Sequence, residues 1–517
     1  MQSGAGFERY LTVGLMGLIG AGLVLRLHPL MGDERALAEG ITEDGYLLLT
    51  VARNWAMGLG LTVSAGEIWT NGFQPLVTFL FAVPYALTGG DKMLSIQGVL
   101  AISGVISLLT AGAVWRFSRM ALAGDGPMAA LIATALWVSG PLIAGHMMNG
   151  LETGLYTLLV MAAVLAFGWL MHREPASIAV RLGLGVLLGL VFLARNDGAF
   201  LVAALLLMRF IQVQVRGARF AEALAEAVPI GLVSLLVAAP WLYYNLQIGG
   251  SIVPISGQAQ SLGSELGANM RLAPVKVFEH LLPMLPIPAS LEETPGLAYA
   301  TGAISLAALA LFLGRAIRSG GVMAWLLGAY ALYGVALVAY YGLFFGAPHF
   351  LSRYFAPFAP LMIVAGVGSG YAVLGWILKA RGEIAMAGIG TLAAALGLAL
   401  SVRVALTADQ GHFQVVDWVA ENVAEETWVG AVQTGTLGYW HDRTINLDGK
   451  VNPAALAARR EEGSVLSYVT ASQIDVLADW VGIAGWEEEG NQAFSAAFET
   501  VVEDAGANLA VLRRVGG

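Results

Sequence analysis

Residues 94–115 read LSIQGVLAISGVISLLTAGAVW, a stretch without a single charged side chain. A helix needs about 20 apolar residues to cross a bilayer, so this stretch predicts a transmembrane helix. The whole chain has a mean hydropathy of +0.71, with 57% hydrophobic and only 12% charged residues. This composition excludes an ordinary soluble enzyme and predicts a polytopic α-helical membrane protein.

Apolar runs of this kind recur along the chain. We interpret eleven of them as crossings, at 11–28, 94–115, 127–145, 155–171, 179–194, 198–211, 227–246, 297–314, 322–345, 355–378 and 384–405. The first run is followed by no small-residue cleavage site, so we expect a retained helix rather than a removed signal peptide.

Five basic turns separate these runs and set the expected orientation. They lie at Arg116/Arg119, Arg173/Arg181, Arg209/Arg216/Arg219, Arg315/Arg318 and Lys379/Arg381. All five fall on one side if the first helix runs outward from a cytoplasmic Arg9. Because cytoplasmic loops are enriched in Lys and Arg, the pattern predicts eleven crossings and an external C-terminus.

The segment from Phe73 to Leu87 is as hydrophobic as a crossing but contains Pro75 and Pro84. If it crossed, every later basic turn would lie outside. We therefore interpret it as a re-entrant or juxtamembrane helix at the outer interface. Residues 29–93 then form one long external loop.

An acidic pair, Glu43-Asp44, lies in this loop. Carboxylates at the mouth of a membrane bundle are costly and indicate a functional site. The alternative is that both acids cap a helix starting near Gly45, since acids favour a first turn. Asp44 is our preferred general base for a sugar hydroxyl, with Glu43 able to raise its pKa by repulsion. Two carboxylates could also hold a divalent cation, Mg²⁺, Mn²⁺ or Ca²⁺.

The topology places the other unusual polar residues on the same outer face. They lie at Asn71–Pro75, His146, Asn149–Thr153, Arg195–Gly198, the loop 247–296 and His349–Tyr354. The long loop is typical of a lid or a binding loop. The collection predicts one external site near the membrane surface, in which substrate contacts come from Tyr46, Asn71, Gln74, Glu152 and His349.

Three cations are candidates for binding a phosphate there. Arg353 is preferred over its alternative, snorkelling to the interface, because basic residues are scarce on this face. Arg195 is a further candidate, although an ion pair with Asp197 is the favoured interpretation. Lys276 in the long loop is the third.

The chain divides into residues 1–407, the transmembrane domain, and residues 408–517, where hydropathy falls from about Asp409. The second part is long enough for a small α/β domain. It predicts a helix over 417–422, strands at 428–432, 443–447, 474–477 and 509–513, and a turn over 435–438.

Two function classes are excluded. The chain has no cysteine, so disulfides, thiol catalysis and thiolate metal sites are ruled out. Basic clusters with interleaved aromatic residues are absent, so nucleic acid is not expected as a partner.

The quoted motifs resemble those of bacterial GT-C glycosyltransferases. The first loop is similar in its acidic pair, in Ala52-Arg53-Asn54 and in Thr70-Asn71-Gly72-Phe73-Gln74-Pro75-Leu76. Further similar steps are Asn149-Gly150-Leu151-Glu152-Thr153, Arg195-Asn196-Asp197, Pro240-Trp241 through Ser256-Gly257, Ser352-Arg353-Tyr354, and Gly435 through Asn452. The resemblance extends to the mycobacterial arabinofuranosyltransferases and, more loosely, to aminoarabinose transferases and protein mannosyltransferases.

The resemblance implies a GT-C bundle with juxtamembrane helices and a periplasmic C-terminal domain. It also implies a polyprenyl-phosphate sugar donor and an inverting transfer with the first-loop aspartate as base. Two departures stand out: Glu43 where many members have aspartate, and Gln74 where others have histidine or lysine. The loss of that basic residue shifts the expected phosphate contact to Arg353.

We therefore expect a bacterial inner-membrane glycosyltransferase that transfers a sugar to an extracytoplasmic glycan, lipid or protein. We expect membrane lipid to surround the protein and to be one of its partners. A lipid-linked sugar transporter or flippase is one alternative, but it would show internal repeats and midplane polar groups. The other alternative is an envelope polysaccharide assembly protein. Retention of activity after deletion of residues 408–517 would argue against a purely scaffolding role.

Overall fold

The computed structural model describes residues 2–172, 177–284, 286–292, 294–407, 412–488 and 491–516. Arg173, one of the predicted basic residues, and Asp409, near the predicted domain boundary, lie outside these ranges. The division at residue 408 therefore stays a prediction.

The chain begins with a long apolar helix and then folds over the end of the bundle. The elements in this part are α1 (Gln2–Leu25), α2 (Glu34–Glu39), α3 (Glu43–Ala56), β1 (Thr62–Val63), β2 (Ile68–Trp69) and α4 (Pro75–Thr88). β1 and β2 form an antiparallel hairpin. Thr42 caps α3 by accepting a hydrogen bond from the Gly45 amide at 3.3 Å, so neither acid of the pair caps this helix.

The bundle is completed by fifteen helices within the described residues. They are α5 (Lys92–Ala121), α6 (Pro127–Ser139), α7 (Pro141–Met148), α8 (Thr153–Met171), α9 (Ile178–Ala194), α10 (Gly198–Val215), α11 (Phe220–Gly249), α12 (Ile255–Gln260), α13 (Ala273–Leu281), α14 (Ala289–Glu292), α15 (Pro295–Ser319), α16 (Gly321–Phe344), α17 (Leu351–Phe355), α18 (Ala359–Leu378) and α19 (Gly382–Thr407). The predicted loop 247–296 thus contains α12, α13 and α14.

Each predicted crossing coincides with helical structure. In the described residues nine helical segments are long and apolar enough to span a membrane, α17 and α18 forming one of them. The pair α6 and α7, bent by 59°, adds a tenth candidate, and α9, with 17 residues, is the remaining run. The protein is therefore a multi-pass membrane protein, as predicted.

Helix α4 is too short for a span and packs against α3, α5 and α9. Its buried side chains include Val77, Phe81 and Tyr85. Pro75 occupies the first helical turn, where the missing amide donor is not needed. The segment thus has the length and packing expected of a juxtamembrane helix.

The C-terminal part is a small α/β domain. Its helices are α20 (Phe413–Asn422), α21 (Gly435–Trp440), α22 (Pro453–Glu462), α23 (Leu466–Ala471) and α24 (Gln492–Ala497). Its strands are β3 (Val429–Ala431), β4 (Thr444–Asn446), β5 (Val476–Asp479), β6 (Phe498–Asp504) and β7 (Leu509–Arg514). The sheet order is β4-β3-β5-β7-β6, in which β4, β3 and β5 are parallel and β7 and β6 are antiparallel to their neighbours.

Two features of this domain differ from the sequence prediction. Residues 435–438, predicted as a turn, form the first part of helix α21. The edge strand β6 was not predicted, because charged residues interrupt its apolar pattern. The four predicted strands and the helix ending at Asn422 are present.

The domain is fixed to α3 and α4 by a cluster of tyrosines. The Tyr85 and Tyr439 hydroxyls lie 2.8 Å apart, and the Tyr439 hydroxyl also donates to the Lys92 carbonyl. The Tyr46 ring packs on Tyr439 with centroids 4.9 Å apart. Because all three tyrosine side chains are buried, this contact holds the C-terminal domain against α3 and α4 at the end of the bundle.

Candidate active site

A cavity of about 370 Å³ lies where the bundle meets the C-terminal domain. It is bounded by α3, the start of α4, the α9–α10 turn, α12, the end of α16 and α17. These are the chain segments at the ends opposite the basic turns, which is where the sequence placed a site. Apolar side chains such as Phe73, Phe192 and Phe200 line much of its wall.

Asp44 lies in the cavity wall between two cations. Its Oδ2 accepts a hydrogen bond from Arg353 Nη1 at 3.1 Å, and its Oδ1 lies 3.5 Å from Lys450 Nζ. Burial by itself would raise the pKa of this carboxyl, but Lys450 and Arg353 outweigh it and hold the pKa below its usual value. Asp44 is therefore ionised and faces the space in which a ligand would bind.

Arg353 is carried by the short helix α17, directly before α18. Its guanidinium lies over the Phe350 ring at 4.5 Å and beside the Tyr354 ring at 5.2 Å. Its Nε is buried and has no hydrogen-bond partner among the described residues. The side chain itself lines the cavity wall.

Lys450 was not among the predicted site residues. It comes from the C-terminal domain, in the loop between β4 and α22, and lines the cavity formed mainly by the bundle. A side chain at Gly72 could not be accommodated, because its Cβ would lie 1.9 Å from the Lys450 carbonyl oxygen. This close approach explains why the predicted Asn71-Gly72 step needs glycine.

Arg195 forms a closed network elsewhere in the cavity lining. Its Nη1 donates to Glu152 Oε1 at 3.1 Å, and its Nη2 lies 3.0 Å from Asp197 Oδ2. The Tyr341 hydroxyl accepts from Arg195 and donates to Asp197 at 2.6 Å. The predicted ion pair of Arg195 with Asp197 is thus present, and Glu152 is its second carboxylate partner.

Glu43 is directed away from its neighbour. Its carboxylate accepts hydrogen bonds from the Gly435 and Thr436 amides and from the Thr436 hydroxyl, at the start of α21. A Cβ at Gly435 would meet the Glu43 carbonyl oxygen at 1.8 Å, so the two segments are in direct contact. Glu43 therefore joins α3 to the C-terminal domain, whereas Asp44 faces the cavity.

The structure does not bring every predicted residue to the cavity. Tyr46 donates to the Ala38 carbonyl, and Asn71 binds Asn245 and the Ile255 amide. The His349 ring lies against the Phe350 ring, tilted by 50° with centroids 4.0 Å apart, and does not line the cavity. Lys276 is paired instead with Glu279 at 3.0 Å and with Glu292 at 2.5 Å. The predicted site residues that do line it are Asp44, Gln74, Glu152, Arg195 and Arg353.

Two amide side chains at the wall have an unused acceptor. Gln74 and Asn196 both line the cavity, and the side-chain oxygen of each is buried without a hydrogen-bond partner in the described residues. A buried acceptor left unpaired costs about 1–3 kcal/mol. One hydroxyl group donates a single hydrogen bond, so the two oxygens would need separate donors.

The predicted cation site was the acidic pair. Within the residues that the structure describes, no group of three or more His, Asp or Glu side chains is arranged to hold a metal ion. The oxygens of Glu43 and Asp44 contact different partners, and those of Asp44 contact two cations. These contacts do not fit a shared divalent cation.

The similarity to known proteins is mainly one of structure and not of sequence. A model of a domain of unknown function, DUF8728, matches residues 402–509. No curated protein matches the chain. Among solved structures, ArnT from Cupriavidus metallidurans bound to undecaprenyl phosphate superposes with a TM-score of 0.60 at 16% identity, covering 97% of this chain and 98% of that one.

An archaeal oligosaccharyltransferase gives the same result. AglB from Archaeoglobus fulgidus, in complex with an inhibitory peptide and a dolichol-phosphate, superposes with a TM-score of 0.60 at 14% identity. The match covers 96% of this chain and 73% of that one. The chain has a GT-C fold. The predicted fold class is confirmed, and the narrower resemblance to the arabinofuranosyltransferases stays a prediction.

Proposed function

We propose that the protein is an integral membrane glycosyltransferase that transfers one sugar from a polyprenyl phosphate to an acceptor hydroxyl, with inversion. The observation that carries the proposal is the ionised Asp44 beside Arg353 in the cavity of a GT-C fold. ArnT, which has this fold over the whole chain length, binds undecaprenyl phosphate. We place the reaction at the bacterial inner membrane, on the periplasmic side.

The chemistry assigns one role to each of the two groups. Asp44 takes the proton from the acceptor hydroxyl, whose oxygen attacks the anomeric carbon opposite the phosphate. The bond from that carbon to the phosphate oxygen breaks, and the polyprenyl phosphate leaves with the electron pair. Arg353, which lines the cavity, binds the phosphate through charge-assisted hydrogen bonds. A phosphate is a weak base, so the leaving group needs no strong general acid.

The cavity wall fits an amphiphilic donor. Apolar side chains flank its charged end, as a polyprenyl chain with a phosphate head requires. We assign Gln74 and Asn196 to hydroxyl groups of the sugar, because both amide side chains line the cavity and amides can donate and accept hydrogen bonds. Arg195 is already engaged by Glu152 and Asp197, so it shapes the wall that carries Asn196.

The decisive variant is Asp44→Asn. It keeps the size of the side chain and removes its ability to accept a proton, so we expect transfer to fall ~10²–10⁴-fold. In cells the polyprenyl-phosphate sugar should then accumulate in lipid extracts, and one sugar should be missing from the envelope, both measured by mass spectrometry. Asp442→Asn is the matched control, since Asp442 pairs with Lys92 outside the cavity.

Two results would contradict the proposal. Transfer at the normal rate by purified Asp44→Asn would mean that the base lies elsewhere. Transfer from a water-soluble nucleotide sugar without any lipid phosphate would remove the assigned donor class.

A further inference from the structure

We infer that Lys450, carried by the C-terminal domain, is a second ligand of the donor phosphate, so that the phosphate site is assembled from both domains. The inference rests on the proposed function, because it names a further group that binds the same donor. It gives the C-terminal domain a direct part in binding the substrate.

Arg353 and Lys450 converge on the carboxylate of Asp44. Arg353 Nη1 lies 3.1 Å from one oxygen of Asp44, and Lys450 Nζ lies 3.5 Å from the other. Both cations also lie against the Phe350 ring, at 4.5 Å and 5.5 Å. A phosphate bound beside Asp44 by Arg353 would therefore lie within reach of the Lys450 ammonium group.

The ammonium group of Lys450 has hydrogen-bond donors that its protein partners do not fully use. Charge-assisted N–H···O contacts are typically 2.7–2.9 Å long. Lys450 Nζ lies 3.5 Å from Asp44 and 3.3 Å from Asp448, so neither contact is at full strength. The ammonium group has three donors, and its side chain is only 16% exposed. A buried cation with unused donors at a cavity wall is suited to bind an anion.

The loop that carries Lys450 is held in a defined conformation. Asn446 Oδ1 accepts from the Gly449 amide at 3.0 Å, and Arg459 donates to the Asp448 carbonyl. Gly449 has a φ of +82°, which a residue with a side chain rarely adopts. These contacts fix the loop against the wall at Gly72 and present Lys450 at a defined place.

The competing interpretation is that Lys450 only stabilises Asp44 and the domain contact. The two interpretations differ in what loss of the charge does to ligand selectivity. A phosphate ligand discriminates undecaprenyl phosphate from undecaprenol, which has the same chain without the charge. A purely structural lysine affects both lipids alike.

The experiment measures the affinity of the purified full-length protein for undecaprenyl phosphate and for undecaprenol, by native mass spectrometry in detergent. Lys450→Gln should weaken undecaprenyl phosphate about 10- to 100-fold, the loss of one charged hydrogen bond, and leave undecaprenol unchanged. Lys450→Arg should retain most of the affinity. Lys92→Gln, a lysine of the same domain contact outside the cavity, should bind both lipids normally.

The outcomes separate this inference from the proposed function. Normal affinity of Lys450→Gln for undecaprenyl phosphate, or an equal loss for both lipids, would overturn the role of Lys450 alone. If the unaltered protein fails to bind undecaprenyl phosphate, the proposed donor and this inference are both overturned. If Arg353→Gln weakens binding and Lys450→Gln does not, the bundle alone holds the phosphate. Thermal unfolding of each variant shows that it is folded.

Discussion

At the scale of single residues, Asp44 combines two requirements. A base must be ionised before it can accept a proton, and in a partly apolar cavity burial works against ionisation. Lys450 and Arg353 reverse that effect and keep the pKa of Asp44 below its usual value. The same cations reduce its basicity until a phosphate competes for them.

The pH dependence follows from this arrangement. Because the pKa of Asp44 is lowered, kcat/KM should be independent of its protonation at neutral pH and fall only at pH values below those at which an ordinary aspartate titrates. Lys450→Gln removes one stabilising charge, so the pKa rises and the acid limb of kcat/KM moves to higher pH. A pH–rate profile of both proteins checks this. An unmoved limb in Lys450→Gln would contradict the electrostatic role of that lysine, and Lys92→Gln is the control.

Ionisation of Asp44 also stabilises the folded state. A carboxyl whose pKa is lower in the folded than in the unfolded protein stabilises the fold above the unfolded pKa. That contribution is lost as the pH falls through the folded value. We therefore expect the free energy of unfolding to decrease in acid, as Asp44 becomes protonated, and not to change near neutral pH.

The sequence identified Asp44 and Arg353 but gave no sign that they touch. They are separated by 309 positions, and only the folded chain brings α3 and α17 close enough for their side chains to meet. Lys450 was missed because it lies in a segment predicted as a separate domain. The feature that distinguishes Arg353, a basic residue on the predicted external face, is also present at Lys450 in Asp448-Gly449-Lys450.

At the scale of elements, α21 shows why local patterns were insufficient. Its six residues are too few for a stable isolated helix, and the sequence therefore predicted a turn. The helix forms because Tyr439 is buried against Tyr46 and Tyr85 and because Glu43 binds its first amides. Strand β6 was missed for a different reason: it lies at the sheet edge, where Glu499 and Glu503 are tolerated.

The contact of α3 with α21 gives a prediction about Glu43. Glu43→Ala leaves the Gly435 and Thr436 amides without their acceptor, so we expect a loss of about 2–4 kcal/mol in the free energy of unfolding. Transfer should fall with it, because α21 belongs to the domain that carries Lys450. Thermal and denaturant unfolding measure the first effect, and an activity assay measures the second.

A second carboxylate provides the control for Glu43. Glu67 accepts a hydrogen bond from Gln473 at 3.0 Å across the same pair of domains, but at an exposed position. Glu67→Ala should cost less than about 0.5 kcal/mol. If Glu43→Ala unfolds normally yet loses transfer, then Glu43 acts in the chemistry itself, as the sequence first suggested.

At the scale of the whole molecule, the bundle places its chemistry at one end. The bundle segments that border the cavity lie at the ends of the helices opposite the basic turns, and the C-terminal domain adds Lys450. The sequence could predict this separation, because apolar length and Lys/Arg placement are local properties. It could not predict the cavity, because a cavity depends on how helices distant in the sequence pack.

The orientation of the bundle is the prediction that the rest depends on. Eleven crossings would leave the two termini on opposite sides, and the positive-inside rule predicts that the basic turns at Arg216 and Arg318 face the cytoplasm. Alkaline phosphatase fused after Gly517 should therefore be active, because it folds only outside the cytoplasm, whereas a fusion after Arg216 should be inactive. A fusion within the α9–α10 turn at Asn196 should behave like the one after Gly517. An inactive fusion after Gly517 would mean that α4 is a true crossing, and it would place Asp44, Arg353 and Lys450 where no external acceptor could reach them.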